Sequence, residues 1–486
     1  MFGRRFKLRR TTIITLGLAT FLGGLGFART DVHFSDELLI IVALFFLISI
    51  ARLRVALVIS TALFGFTLGW WRGQAVLKQL EPLKTFSGQH IVATVEAEND
   101  AVYDNRQELS FDAGKLHVSD PADVRLPGRL LIAGFGEPAV YKGDIVGIEG
   151  KIYASRGSHQ LRMSFAQLKV LGRSASSIDT ARRKYAAGME SALPEPQASF
   201  GLGLLMGQRN TMPASITTQL AAVGLTHIIA VSGYNLTIIM RAVRRILNKR
   251  SKYQTTVLSL VLMGLFLLTT GFSASIVRAA IVSSLSLLAW YYGRSFRPLL
   301  LIVLAASLTA GWNPLYIWSD IGWYLSFLAF FGVLIIAPLI NIRLFGKKEP
   351  KALTGLLTES LCALIMTIPF VLYIFHQVSL VALMANLLVV PLVPLAMLLA
   401  LMAGLAGMLW PVLAGIVAWP ARVLLTYMLD LVQLMSRIPH ALVQRQLSLV
   451  AMLFLYGCVS LFAFVLWRAT EKSHAILTPE SMESDA

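Results

Sequence analysis

From residue 226 to residue 467 the chain is apolar almost without interruption. Segments at about 226–247, 254–270, 274–292, 298–311, 320–341, 355–375, 379–405, 408–435 and 447–467 follow one another with short polar joints. Hydrocarbon offers a backbone no hydrogen-bond partners, so runs of this length restrict the chain to helices that satisfy their own N–H and C=O groups. Three further segments, 11–28, 37–50 and 53–71, open the chain. About twelve apolar segments predict a polytopic α-helical membrane protein. The composition agrees, with 56% hydrophobic and only 14% charged residues. MFGRRFKLRR has the charge of a signal-peptide n-region, but two more segments follow and Ala28-Arg29 is a poor cleavage site. The first segment is therefore expected to stay as a helix.

The net charge of +17 raises the question of nucleic acid. Of the 43 Lys and Arg residues, 21 lie at the N-terminus, near 52–54, in 241–252, 294–297 and 343–351, and after 467. These are joints between segments, where the positive-inside rule puts cytoplasmic charge. With the N-terminus in the cytoplasm, successive crossings place the later clusters inside and residues 88–173 outside. Trp70-Trp71, closing the third segment, has the look of an interfacial anchor.

Residues 88–173 change character, with short alternating runs punctuated by Gly, Pro, Asp and Asn. Strands are predicted at 90–98, 107–118, 128–134, 144–154 and 159–171. Five strands in so short a stretch fit a small closed barrel such as an OB-fold, or another small β barrel. The stretch holds 10 Lys plus Arg against 11 Asp plus Glu, so as a whole it has no basic excess. The predicted organisation is N-terminal membrane helices (1–72), the outer β domain (88–173), a linker helix (174–198), a membrane channel domain (199–468) and a polar cytoplasmic tail (469–486). Within it, 182–197 reads as an amphipathic helix, and 199–209 and 215–224 as helices at the interface.

Chemical signatures of catalysis are missing. There is no GxxxxGK[ST] phosphate loop, no GxSxG elbow, and none of the eight histidines falls in an HxH or HExxH spacing. No enzyme activity, metal or cofactor is expected. Cys362 and Cys458 lie inside apolar runs and read as packing residues.

Polar residues inside the apolar segments carry the remaining information, since an ionisable group there costs about 2.5–3.5 kcal/mol on insertion scales. Arg278, in TTGFSASIVRAAIVSS, has Ser275 one turn before it and Gly271 ahead of the segment. It either faces a polar interior or snorkels to the interface. In LTHIIAVSGYNLTIIM, His227 and Asn235 flank Ser232-Gly233, a pair that loosens a helix, so the segment is expected to bend beside a path or to allow a close crossing. Asp320 sits in an aromatic stretch with Trp312 and Asn313. Asn386 precedes Pro391 and Pro394, which are expected to break their helix.

Taken in order, GLGLLMGQR, AAVGLTHIIAVSGYNLTII, TTGFSASIVRAAI, NPLYIWSDIGWYLSFLA and SLVALMANLLVVPLVPLAM resemble the ComEC family of competence proteins. The resemblance is good over about 200–400 and extends in outline to 30–175, where the family carries an OB-like domain outside the membrane. It implies a prokaryotic inner-membrane channel that passes single-stranded DNA into the cytoplasm during natural transformation. His227, Ser232, Gly233, Asn235, Gly271, Ser275, Arg278, Asp320 and Asn386 would then line or gate the path. Many family members have SGLH where this chain has Ser232-Gly233-Tyr234-Asn235, so a second imidazole there is not implied. Larger members continue into a metallo-β-lactamase-like domain with no counterpart here, which leaves strand degradation to a separate nuclease. Implied partners are DNA, a receptor on the outer face, a cytoplasmic ATPase or single-strand-binding proteins, membrane lipids and a second copy of the chain. The competing classes are a secondary transporter of a small solute, which would show paired broken helices, and a non-conducting envelope scaffold.

Overall fold

The computed structural model describes residues 10–30, 32, 35–52, 54–103, 108–121, 123–126, 128–155, 159–173, 176–208, 212–229, 236, 251–270, 274–293, 297–346 and 352–475. The chain divides into two compact units. One comprises Met1–Met212, Ile229–Trp323 and Ala396–Leu425, the other Pro213–Ile228, Tyr324–Leu395 and Thr426–Ala486.

The first unit begins with α1 (Arg10–Phe27), α2 (Asp36–Arg52) and α3 (Arg54–Thr85). Gly65, Gly69 and Gly73 recur every four residues and so form one stripe on α3. A Cβ on Gly65 would fall 2.2 Å from the Gly17 carbonyl oxygen, and one on Gly69 would fall 2.1 Å from that of Phe21. Backbones this close replace the hydrophobic drive that lipid does not supply between helices. Trp70 belongs to this crossing, its ring edge-on to Phe27 at 5.1 Å. It is therefore a packing residue and not the interfacial anchor predicted for it; Trp71 is the exposed one of the pair.

Helix α3 also runs well past the expected end at 71. Arg72 Nε donates to the Gly311 carbonyl at 3.0 Å and Gln74 Nε2 to that of Ala28 at 2.8 Å, so its polar turns are held by other helices. Farther on, Leu83 enters the core of the β domain with Leu80 packed against it.

That domain comprises β1 (His90–Ala97), β2 (Val102–Tyr103), β3 (Leu109–Asp120), β4 (Val124–Leu126), β5 (Leu130–Phe135), β6 (Ile145–Ala154) and β7 (Leu161–Gly172). The five long strands occupy the predicted runs; β1, β6 and much of β7 alternate between buried and open positions, whereas β5 buries three residues in succession. β1 pairs with β6, β6 with β7, β7 with β5, β5 with β3, and β3 again with β1, so the pairings form a ring. All are antiparallel except β5 with β7. Gly134 is required in that parallel pair, where a Cβ would fall 2.1 Å from the Ala166 carbonyl oxygen. The interior of the ring is apolar, with Ile91, Phe111, Ile132, Ile148 and Met163 fully buried.

The linker helix, α4 (Ser177–Ala192), starts earlier than predicted and docks along the Val393–Leu409 helix. Tyr185 Oη donates to the Ala400 carbonyl at 2.9 Å. Gly188 faces Gly404 and Gly407, and a Cβ on Gly407 would fall 1.9 Å from the Gly188 carbonyl oxygen. Next come α5 (Gln197–Met206), α6 (Ala214–Ala222) and α7 (Thr226–Ile229). Phe200, Leu202 and Leu204 of α5 have no exposure, so this helix is enclosed by protein.

Six helices are long and apolar enough to cross a membrane: Arg10–Phe27, Ile321–Phe345, Leu357–Phe375, Ala382–Leu409, Pro411–Ser436 and Leu449–Thr470. Shorter apolar helices lie at Lys252–Leu268, Ser275–Tyr291 and Pro298–Trp312. Of the about twelve expected segments, six thus have full-length helices among the described residues, and the 226–247 segment lies almost wholly outside them. At Pro391 the α-helical pattern is interrupted: the Ala382–Val389 helix ends and the Val393–Leu409 helix begins, with Pro394 in its first turn. Pro391 lies in a 3-10 turn (Val390–Leu392), and Val390 and Val393 on either side keep right-handed helical dihedrals. Proline has no N–H to continue the ladder to the Leu387 carbonyl, which is where the α pattern gives way to the 3-10 turn. In the second unit, a π-helical turn at Gly332–Ile336 brings Gly332 against the Cys362 backbone, and a two-stranded pairing of 377–379 with 442–444 joins helix ends.

Candidate functional site

Arg278 projects from the Ala274–Tyr291 helix into the first unit with 2% of its surface exposed. It does not snorkel. Its Nη2 donates to the Gly322 carbonyl at 3.0 Å and its Nη1 lies 3.5 Å from Asp320 Oδ2. Asp320 caps the Ile321–Phe331 helix in the same geometry, Oδ1 accepting from the Trp323 backbone N–H at 3.1 Å. One carboxylate therefore balances the guanidinium and satisfies a helix N-terminus. Nearby, Trp323 Nε1 donates to Thr309 Oγ1 at 3.0 Å, and Asn313 Oδ1 accepts from the Leu315 N–H at 3.1 Å. Gly322 leaves room for the pair, since a Cβ there would lie 3.1 Å from Asp320 Oδ1. Ser275, one turn before Arg278, is half-buried.

A second meeting of motif segments lies in the other unit. Gly224 has φ +76, and a Cβ there would fall 2.8 Å from that of Ala382 and 3.3 Å from that of Ser379. The left-handed turn that starts the His227 segment thus packs directly on the start of the Asn386 helix. His227 is exposed, with Nδ1 3.1 Å from the Gly224 carbonyl; a carbonyl only accepts, so Nδ1 carries the proton in this contact. Asn386 is half-buried, and its Oδ1 finds no hydrogen-bond partner among the described residues. Ser232, Gly233, Asn235 and Gly271 lie outside the described residues.

The remaining motif, GLGLLMGQR, is α5 with its cap. Gly207 takes φ 70 and its N–H returns to the Gly203 carbonyl at 3.0 Å, a left-handed C-cap. Gln208 then lines a cleft of about 200 Å³ between α4 and the β domain, shared with Lys142, Arg173, Arg182 and Arg183. Arg182 Nη2 lies 3.8 Å from Asp100 and Arg183 Nη1 lies 3.8 Å from the buried Asp144. Burial, and then the neighbouring Arg182, hold the Lys142 ammonium below its usual range. Sequence reasoning missed this cleft, and RRKYAAG read alone signals only an amphipathic helix.

The motifs thus meet pairwise, Arg278 with Asp320 and Gly322, and Gly224 with Ser379 and Ala382. A model of the competence protein family matches residues 204–470, more than half of the chain and the region that holds both meetings. The chain belongs to the competence protein family. It is a multi-pass membrane protein of the ComEC type that the quoted motifs indicated. It is 25% identical over 194 residues to ComE operon protein 3 of Bacillus subtilis (strain 168), an alignment covering 39% of this chain and 24% of the relative. The chain therefore spans about a quarter of the length of the curated relative it matches. No solved structure matches.

Proposed function

We propose that this competence protein is an inner-membrane conduit that passes a single DNA strand from the outer face to the cytoplasm. The observation that carries the reading is the family match over the membrane region, together with the concentration of buried polar groups in the segments that match. The β domain is read as a closed OB-like barrel on the outer face. Its support is the ring of pairings with one parallel contact, β5 with β7, and the positive-inside distribution of Lys and Arg. Both termini then lie in the cytoplasm.

In this reading Arg278 is a fixed charge whose partner Asp320 sets its position, and His227 and Asn386 border the path in the second unit. The chain carries no phosphate loop, so the driving force comes from a cytoplasmic ATPase, single-strand-binding proteins or the membrane gradient. A receptor on the outer face delivers the DNA.

Deleting the whole chain is expected to leave labelled DNA bound at the cell surface while internalised, nuclease-protected label falls to background. Unchanged internalisation in the deletion strain would overturn the reading and favour a solute transporter or a scaffold.

A further inference from the structure

We propose that the outer face of β6 and β7 is a stacking platform for a single nucleic-acid strand, an inference that rests on the DNA-uptake reading and names its first contact. Outward positions of these strands carry Tyr153 and Phe165, 49% and 63% exposed, interleaved with Lys151, Arg162 and Lys169. Tyr153 stands directly opposite Arg162 in the ladder, and Lys151 Nζ lies 5.8 Å from the centre of the Tyr153 ring. Phe165 sits where the β6–β7 register shifts. Its φ of 57 places a bulky residue in the left-handed region, which turns the ring outward at the bulge.

The charge on this face is unlike that of the domain as a whole. Lys151, Arg162 and Lys169 form no ion pair among the described residues, and the carboxylate among them is Glu149, opposite Gln167. Elsewhere on the domain the acids are engaged: Glu96 with Lys115, Glu98 with Arg129, Asp112 with His159, and Asp123 with His117. Asp100 and Asp144 face Arg182 and Arg183 of α4. Six of the domain's acids are thereby paired away from the β6–β7 face; Glu149 stays on it and Glu137 meets its border at the Val170 N–H, so three bases against Glu149 leave a locally positive surface with two open rings. Bases stack on such rings regardless of sequence, and phosphates follow the cations between them. The exposed Ile145 and Leu171 lie at the opposite end of the ladder from Tyr153 and Arg162, so the two rings stand beside cations and suit a strand better than a lipid surface, which asks for a contiguous apolar face.

The test uses the full chain in uncharged lipid nanodiscs and a fluorescent oligothymidylate, read by anisotropy across a salt series. Tyr153→Ala and Phe165→Gly are each expected to weaken binding about tenfold with the salt slope unchanged. Lys151→Glu with Arg162→Glu is expected to weaken it and flatten the slope by about 1. Phe165→Gly guards against misfolding, because glycine adopts the left-handed conformation freely. If the wild-type chain binds the strand and all three variants bind equally well, the face is wrong, while the uptake reading still stands on the deletion strain. Binding of the wild type to anionic vesicles but not to the oligonucleotide would also overturn the platform, in favour of a lipid contact. Loss of the deletion phenotype is a separate result that removes the uptake reading itself.

Discussion

Arg278→Ala should strip the protein from the membrane as well as stop DNA uptake. The guanidinium is buried, it holds the Gly322 carbonyl, and it balances Asp320 at 3.5 Å. Removing it leaves a carboxylate and a helix start without their cation, a loss of about 3–5 kcal/mol for a buried pair. That is a large share of the about 5–15 kcal/mol that separates typical folded from unfolded states. Immunoblots of the membrane fraction should therefore show depletion, and uptake of labelled DNA should vanish with it. The double variant Arg278→Met, Asp320→Asn separates structure from transport, since a neutral, well-filled pair is often as stable as the ion pair it replaces. Restored abundance with absent uptake would give Arg278 a part in the path. Restored abundance together with restored uptake would reduce it to a fastening.

Gly407→Leu is expected to be as damaging, for a steric reason. A Cβ at this position would lie 1.9 Å from the Gly188 carbonyl oxygen, so α4 and the Val393–Leu409 helix must separate. Their separation would also break the Tyr185 bond to Ala400. Overpacking a tight contact costs about 1–3 kcal/mol, and a contact between two backbones sits at the upper end. The purified variant should elute as aggregate or be cleaved in limited proteolysis where the wild type is resistant. Gly457→Ala is the control, because a Cβ there meets nothing within 4 Å. Wild-type behaviour of Gly407→Leu would show that the crossing opens without consequence.

How far each feature could be read from the sequence depended on the range of the force behind it. The five long β strands were legible because alternation of apolar and polar residues is local to each strand. The end of α3 was not, since its polar turns past residue 71 are held by the carbonyls of Gly311 and Ala28, distant in sequence. Pro391 was legible in part: the α-helix gives way there to a 3-10 turn, but the right-handed helical dihedrals of Val390 and Val393 keep the chain helical across it. Trp70 misled because an aromatic at the end of an apolar run has the same local signature whether it meets headgroups or Phe27.

The candidate site follows the same division. Arg278 and Asp320 each stood out as charged residues in apolar surroundings, but nothing in either segment indicates that they meet. Their pairing, with Gly322 lying 44 residues beyond Arg278, arises only when two helices pack. The glycines at 188, 404 and 407 carried no sequence signal of the crossing they allow.

Hydropathy and periodicity by themselves determined that this chain is a membrane protein with an inserted β domain, because both properties are sums over neighbouring residues. The family came from neither property, but from the resemblance of the ordered motifs and the match of the family model over residues 204–470. The direction of the β domain's charge was decided by tertiary structure alone. Ten bases against eleven acids predict a neutral surface. Folding pairs the acids with bases on other strands and on α4, and leaves Lys151, Arg162 and Lys169 together beside two open rings. Net charge is a count, whereas the field a ligand meets falls off within about 10 Å and so depends on which charges the fold brings side by side.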